Sequence, residues 1–584
     1  MHASARGLAS LLLAITLSSA ALFAQPTAST SRPNPDWWKN AVIYEIYPRS
    51  FQDSNSDGIG DLNGITSRLD YLQSLGVDAI WLTPIYPSPQ VDFGYDISDY
   101  TNIDPQYGTL ADFDRLVAEA HQRNIGIIMD LVLNHTSDKH PWFEESASSR
   151  TNPKADWYMW HEPKMVDGHR EPPNNWLSVF GHSAWQWDPA RRQYYYHRFY
   201  IQQPDLNWNN PAVRKAMYDV ERFWIQHGVV GFRLDAITSL FEDPSFTDEN
   251  YVLGPDGKPE INAYGDKRVD TLKTDNLPEV HNVLRELRQV ADQTQGRKVV
   301  LIGETYLRSI DDLRRMYGPN NDELDLPMDM EVGFINDFDV KKFRERIDEA
   351  ETGIAGHQPL FVFDNHDNKR WDRYVTADHK DDVGRVLATV LFASRDTALM
   401  YYGDEIGMVT TPPARKEDVK DPIGITGWPK EKGRDGDRTP MQWNDGPDAG
   451  FSPSGVRTWL PIPPSYEQTN VAAEEHEPDS MLHWYQQLIA LKKQDPALHS
   501  GAETMLNASD ANVLSWMRKA DNGETVVVAC NFTDQAQTVS LDLSAQGVQA
   551  AKLTTLMKTP GATDPASLQS IHLGPYGVYI ARIE

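Results

Sequence analysis

The feature that most constrains this chain is an alternation, repeated from Val42 to beyond residue 400, of short apolar runs with longer segments of helical period. The runs predict strands over 42–47, 79–83, 126–132, 231–234, 299–304, 328–334, 359–363 and 397–402. The intervening segments predict helices over 110–123, 212–227, 279–293 and 340–351; in the second, Val213, Met217, Val220, Phe223 and Trp224 mark the stripe to be buried. Eight strands joined by helical stretches such as these predict an α/β fold, a (β/α)8 TIM barrel, whose reactive groups gather at the carboxyl ends of the strands.

Two long connections interrupt the pattern. Segment 135–206, rich in Trp, Tyr, Pro and His, is too long for a bare loop and reads as a small domain inserted after the third strand. Segment 403–478 is dense in Pro, Gly and charge, yet Trp428, Trp443, Phe451 and Trp459 predict an ordered wall over the barrel mouth. The amphipathic stretch 480–493 supplies the last barrel helix, so the barrel is expected over 37–134 and 207–500. Alternating runs such as 525–529 and 550–556 predict a C-terminal antiparallel β domain, a sandwich over 501–584.

At the amino terminus Arg6 precedes the apolar run 8–23 and the small-residue site Ala24-Gln25, the pattern of a cleavable signal peptide over 1–24. A flexible leader, 25–36, follows, and the mature protein is expected in the periplasm or outside the cell. With 55 Lys+Arg against 84 Asp+Glu, the net charge of −29 excludes a nucleic-acid binder. No internal segment is apolar for the roughly 20 residues a membrane helix needs, so no stable membrane insertion is expected. The single cysteine, Cys530, excludes an intramolecular disulfide and reads as a small buried side chain.

Polar residues close several of the expected strands. In Gly231-Phe-Arg-Leu-Asp-Ala236, Arg233 and Asp235 are two apart and share one face, where a guanidinium would keep the carboxylate ionised, as a nucleophile requires. An ordinary ion pair would read the same way. Glu304 ends 299–304, as a hydrogen-bonded core acid or as a general acid of raised pKa. Asp364-Asn-His-Asp367 and Asp130-Leu-Val-Leu-Asn-His135 close two more strands. Four polar clusters at one rim are hard to explain as packing.

With these residues the chain resembles the α-amylase superfamily, glycoside hydrolase family thirteen, and within it the α-glucosidase and oligosaccharidase branch. The resemblance runs from Trp37 onward through Asp61-Leu-Asn-Gly64, Asp92-Phe-Gly-Tyr-Asp96, Asp130 to His135, Gln203-Pro-Asp-Leu-Asn207, Gly231 to Asp235, Gly303-Glu304, Asn365-His-Asp367 and Arg438-Thr-Pro-Met-Gln-Trp443. It implies Asp235 as nucleophile, Glu304 as general acid/base and Asp367 as a third carboxylate that steers the sugar. It further implies that His135, His366, Asp96 and Arg233 hold a terminal glucose, that Tyr95 stacks on its ring, and that Arg438 binds sugar, with Arg434 close by in sequence. The implied reaction is double displacement with retention, its two carboxyl groups about 5–5.5 Å apart, and it uses no organic cofactor.

Asp53-Ser-Asn-Ser-Asp-Gly-Ile-Gly-Asp61 sets oxygens at alternate positions around a glycine turn, the spacing of a calcium loop or of metal-free Asx turns. The resemblance favours structural Ca2+ on Asp53, Asn55, Asp57, the Ile59 carbonyl and Asp61. In this branch the residue after the nucleophile resembles a linkage selector, and Ala236 implies α-1,4 bonds. Pro173-Asn-Asn-Trp176, Ser183-Ala-Trp185, Gln193-Tyr-Tyr-Tyr196 and Leu240-Phe-Glu-Asp243 look most like maltases. The expected substrates are therefore maltose and short maltooligosaccharides, with sucrose as a further candidate. Asn276-Leu-Pro-Glu-Val-His281 resembles trehalose synthase, a glucose-transferring isomerase that stands as an alternative beside an α-1,6-oligosaccharidase. A non-catalytic transporter subunit is disfavoured by the retained carboxylates.

Overall fold

The computed structural model describes residues 35–584 apart from 295, 376–378, 454 and 549–551; the expected signal peptide and most of the leader lie outside the described residues. The strands β1 (Val42–Ile46), β2 (Ala79–Leu82), β3 (Gly126–Val132), β4 (Gly231–Asp235), β5 (Val300–Gly303), β6 (Leu326–Pro327) and β7 (Ala398–Tyr401) form one parallel sheet. Their spatial order is β6-β5-β4-β3-β2-β1-β7. The gap between β6 and β7 is closed by segment 359–363, which makes only an isolated parallel bridge from Phe361 to Asp329 and a hydrogen bond from Thr397 N–H to the Pro359 carbonyl (3.0 Å). The expected strands at 328–334 and 359–363 are thus corrected: beyond Asp329 the chain turns, with Phe334 N–H bonded back to the Met330 carbonyl (3.1 Å). Apolar alternation there reflects packing of a turn and not a ladder.

Helices α1 (Leu110–Gln122), α2 (Pro211–Gln226), α3 (Val280–Asp292), α4 (Val340–Gly353), α5 (Lys380–Ala393) and α6 (Met481–Gln494) surround the sheet. Local chemistry fixes their starts. At α1 the Thr109 hydroxyl accepts the Asp112 N–H (3.2 Å) while the Asp112 carboxylate accepts the Thr109 N–H (2.9 Å), a reciprocal capping box. At α2 Pro211 takes a position that needs no N–H donor, and Asn210 accepts the Ala212 N–H (2.9 Å). The inward stripe of α2 buries Val213, Met217, Val220 and Trp224, at about 1.5–3 kcal/mol for a typical large apolar side chain.

Strand parity divides the barrel. Odd and even side chains face opposite sides, so Val42, Tyr44 and Ile46 pack outward in the main core while Ile43 enters the lumen with Trp81, Ile128, Val300 and Ile302. Two residues on, the same inward parity carries Glu45, Asp130 and Glu304; on β4 it carries Arg233 and Asp235. The lumen is thus apolar below and charged at its carboxyl end.

Segment 135–206 holds a short helix (Pro141–Ser148), a three-stranded antiparallel sheet and a hairpin of Lys164–Val166 with His169–Glu171. Its own core includes Met159, Trp176, Trp185, Tyr194 and Tyr196, so these aromatics are packing residues. Beyond Gly501, five antiparallel strands and a separate two-stranded sheet enclose an apolar layer including Leu506, Val527, Ile571 and Tyr579. Cys530 is buried on the other face of the five-stranded sheet, against the main core, which pushes its thiol pKa up. Among the described residues no helix is long and apolar enough to cross a membrane.

Candidate active site

At the carboxyl rim, one buried guanidinium gathers three acids. Arg233 Nη1 lies 3.1 Å from Asp130 Oδ1 and 2.6 Å from Asp235 Oδ1, and Nη2 lies 2.5 Å from Glu304 Oε1. On the opposite face from Glu304, glycine at 303 leaves room for the side-chain ends of Leu324 and Ile237, which a Cβ would have to displace. After Asp235 the chain turns through the left-handed region at Ala236 (φ 46, ψ 34), which aims the Ala236 N–H at Glu304 Oε2 (2.8 Å). Glu304 is therefore held from two sides.

Burial lifts the Asp235 carboxyl to about 7, with Arg233 opposing the rise and Asp130 adding to it. Burial likewise lifts Glu304 to about 7, opposed by Arg233 and reinforced by the charges of Asp235 and Asp367. Two carboxyls coupled through one cation titrate as a pair, which leaves one ionised and the other protonated near neutrality. Asp367 behaves oppositely. Burial would raise it, but His366, Arg434 and Arg438 hold it well below the usual carboxylate range. Its Oδ1 accepts from Arg434 Nη1 (2.8 Å) and Arg438 Nη2 (2.7 Å), while Oδ2 faces His366 Nε2 (3.3 Å).

These groups floor a cavity of about 410 Å³, lined by Asp235, Glu304, Asp367, Tyr95, His135 and Ala236 among others. Segment 135–206 contributes Phe180, Arg198 and Phe199 to its wall, and the connection after β7 contributes Ile423 and Arg434. In that connection Trp443, Phe451 and Trp459 are buried, as an ordered wall requires. His135 lies at the cavity with Nε2 3.2 Å from the Tyr95 carbonyl oxygen, and burial lowers its pKa to about 3, so it is neutral. Arg233 and His366 are almost fully buried just behind the lining and reach it through Asp235 and Asp367.

Two expected sugar contacts are placed elsewhere. Asp96 is fully buried and turned from the cavity, its carboxylate accepting from Ser88 Oγ (2.9 Å) and the N–H groups of Val91 (3.0 Å) and Asp92 (3.0 Å). Asp92 takes its place in the lining. Likewise Arg438 stands behind Asp367, its Nε donating to the His366 carbonyl (2.8 Å), while Arg434 faces the cavity and bridges Asp367 to Asp92 (3.0 Å). Tyr95 is in the lining, but its ring stacks on His366 at 5.5 Å between centroids and 11° between planes. Sequence reasoning also missed Thr238, Asp275 and Tyr306 in the wall; of these only Tyr306, two residues beyond Glu304, carried a signal in its spacing.

In the loop 53–61, Asp53 accepts from the N–H groups of Asn55 (3.0 Å), Ser56 (2.8 Å) and Gly58 (2.9 Å) and from the Ser452 hydroxyl. Asp61 accepts from Ser54 and from Gly64 N–H (2.8 Å), Asn55 accepts from Asp57 N–H (3.0 Å), and Asp57 accepts from Ile59 N–H (2.8 Å). Among the described residues no group of three or more His, Cys, Asp or Glu side chains converges as a metal centre. The donors nonetheless are all oxygens: both Asp53 oxygens and Asp61 Oδ1 each take two hydrogens, whereas Asn55 Oδ1, Asp57 Oδ1 and Asp61 Oδ2 each take one and keep a further lone pair for a hard cation.

Residues 45–501 match the model of the alpha amylase catalytic domain, and 504–580 that of the maltogenic amylase C-terminal domain. A probable alpha-glucosidase of Rhizobium meliloti is 42% identical over 89% of this chain and 93% of its own. An oligo-1,6-glucosidase of Heyndrickxia coagulans is 38% identical over 87% of this chain and 94% of its own. The crystal structure of an alpha-glucosyl transfer enzyme superposes with a TM-score of 0.84 at 37% identity, covering 94% of this chain and 99% of that one.

Proposed function

The chain belongs to the α-amylase family of glycoside hydrolases, and from that premise we propose that it is a retaining, exo-acting α-glucosidase cleaving terminal α-1,4-linked glucose from maltose and short maltooligosaccharides. The observation that carries this reading is the pairing of Asp235 and Glu304 on one guanidinium at the floor of a walled cavity. Close carboxylates suit double displacement, because no water must fit between nucleophile and sugar. Walls from 135–206 and from the connection after β7 favour chain ends over internal bonds.

In this mechanism the Asp235 carboxylate attacks the anomeric carbon while Glu304, protonated, donates to the departing glycosidic oxygen. Glu304 then takes a proton from water, which opens the glycosyl-enzyme. General acid–base assistance of this kind contributes about 10²–10⁴ in rate. Asp367, kept anionic by its cations, faces the positive charge that develops on the sugar. Asp92 and Arg434 close the end of the pocket and select a glucose terminus. Near Glu304, the small side chain of Ala236 leaves room for an α-1,4 aglycone, a preference worth about 1–3 kcal/mol. Sucrose falls within the same reach, and transfer to a sugar hydroxyl competes when water is scarce.

One observation favours a second reading. Asp275, which immediately precedes the stretch that resembles trehalose synthase, lines the cavity, so an isomerase that retains the cleaved glucose is the alternative. Incubation with maltose separates the two: glucose alone supports the hydrolase, and accumulating trehalose supports the isomerase.

Two further proposals accompany this reading. The loop 53–61 binds one structural calcium through Asp53, Asn55, Asp57, the Ile59 carbonyl and Asp61, and has no step in the chemistry. The apolar run 8–23 directs export, so the mature protein is periplasmic or secreted; its amino-terminal sequence after expression in a Gram-negative host tests this.

A further inference from the structure

Glu45 is an acid that the chemistry described above leaves unused. It is fully buried on β1, at the inward parity of Ile43, and its Oε1 lies 2.5 Å from His366 Nδ1. Among the described residues its Oε2 has no hydrogen-bond partner. On the far side of the ring, His366 Nε2 is 2.8 Å from the Tyr95 hydroxyl and 3.3 Å from Asp367 Oδ2. The Tyr95 hydroxyl lies 3.0 Å from Asp130 Oδ2 as donor, so its single proton is committed and its oxygen can only accept from Nε2. Nε2 must then carry a proton, and so must Nδ1 if it faces a carboxylate. The imidazole is clamped from its faces by Tyr95 (5.5 Å, 11°) and Tyr47 (5.9 Å, 21°), with Trp81 at its edge (5.9 Å, 74°), so it cannot turn to other partners.

We infer that Glu45 is a positioning residue for glycoside cleavage: it holds His366 as an imidazolium whose Nε2–H is presented to Asp367, and so keeps Asp367 oriented toward the sugar. The relay rests on the proposed role of Asp367, and the reading of His366 itself does not. The groups facing this ring and its partner are Glu45 and Tyr47 from β1 and its exit, Tyr95 from the loop after β2, Asp130 of β3, Arg233 of β4, Tyr401 of β7, and Asp367 with Arg438. Burial disfavours the charged imidazole, yet Asp367 and Glu45 together raise its pKa to about 9. Without Glu45 only one of these anions remains against the burial.

The test has two arms. First, spectra of the full chain labelled with ¹⁵N-histidine, titrated from pH 6 to 10, should show one histidine that stays doubly protonated above pH 8; Glu45→Gln should abolish that signal. No such histidine in the unsubstituted protein, or an unchanged signal in the variant, overturns the inference without reference to activity. Second, the ratio of kcat/KM for maltose in Glu45→Gln to that in the parent should fall with rising pH as His366 loses its proton about 1–3 pH units earlier, the usual effect of losing an adjacent carboxylate, and should recover on acidification. A merely structural residue would lower activity equally at every pH, and a ratio that does not change with pH overturns the relay. Should the unsubstituted protein leave maltose intact while the histidine signal behaves as described, the glucosidase reading falls and the imidazolium assignment stands.

Discussion

Replacing Arg233 by methionine removes the cation shared by Asp130, Asp235 and Glu304 while keeping an unbranched side chain in the lumen. Unit charges about 4 Å apart attract by about 4 kcal/mol at an effective dielectric near 20, and desolvation of the guanidinium offsets much of that. The net effect expected on a neighbouring carboxyl is about 1–3 pKa units, or about 1.4–4 kcal/mol. Asp235, already lifted by burial to about 7, would move up to about 8–10. A nucleophile acts only when ionised, so activity rises with pH through this group and its acid limb should move to higher pH in Arg233→Met. At pH 7, where about half of such a group of pKa about 7 is ionised, the ionised fraction then falls by about 5- to 500-fold. The assay is kcat/KM for maltose from pH 4 to 10, with Tm measured alongside, because stranding buried acids costs about 3–5 kcal/mol of stability. Arg233→Lys, which keeps the charge and loses the fork, should fall between the two. An acid limb unmoved in Arg233→Met, with neutral-pH activity within a few-fold of the parent, would refute the reasoning.

Three further outcomes follow from placement. Asp92→Asn should lower kcat/KM for maltose by at least about tenfold with little change in Tm, whereas Asp96→Asn, which turns one oxygen of a buried acceptor of three hydrogen bonds into a donor, should lower Tm; the reverse pattern would restore Asp96 as the sugar contact. Ala236→Val should shift the maltose to isomaltose kcat/KM ratio toward isomaltose by about 10- to 200-fold and lower Tm, since a β-branched residue resists the left-handed backbone there; an unchanged ratio would remove Ala236 as selector. Elemental analysis should find one calcium per chain, and chelation should lower Tm without changing the pH profile; no calcium after expression in calcium-rich medium would leave 53–61 a loop of Asx turns.

Most of this site was legible because strands give side chains fixed directions. Parity on β4 places Arg233 and Asp235 together, and Glu304 follows from the end of β5. Glu45 obeys the same parity and was legible in principle, but a single acid within an apolar run gives no hint of the histidine it meets from residue 366. Loops give no such directions. Asp92 and Asp96 are identical residues four apart around a glycine, as are Arg434 and Arg438, and in both cases spacing could not tell which faces the cavity. The turn after β6 was misread for a related reason: Met328, Met330 and Val332 are all buried, but they pack a bend against the barrel instead of a strand.

The central claim, retaining cleavage of a terminal α-1,4 glucose, is tested most directly by the first anomer released from maltose, observed by ¹H NMR before mutarotation. The account predicts α-glucose from the nonreducing end, with isomaltose cleaved slowly and no trehalose formed. Initial release of β-glucose from that end, or conversion of maltose to trehalose, would contradict it.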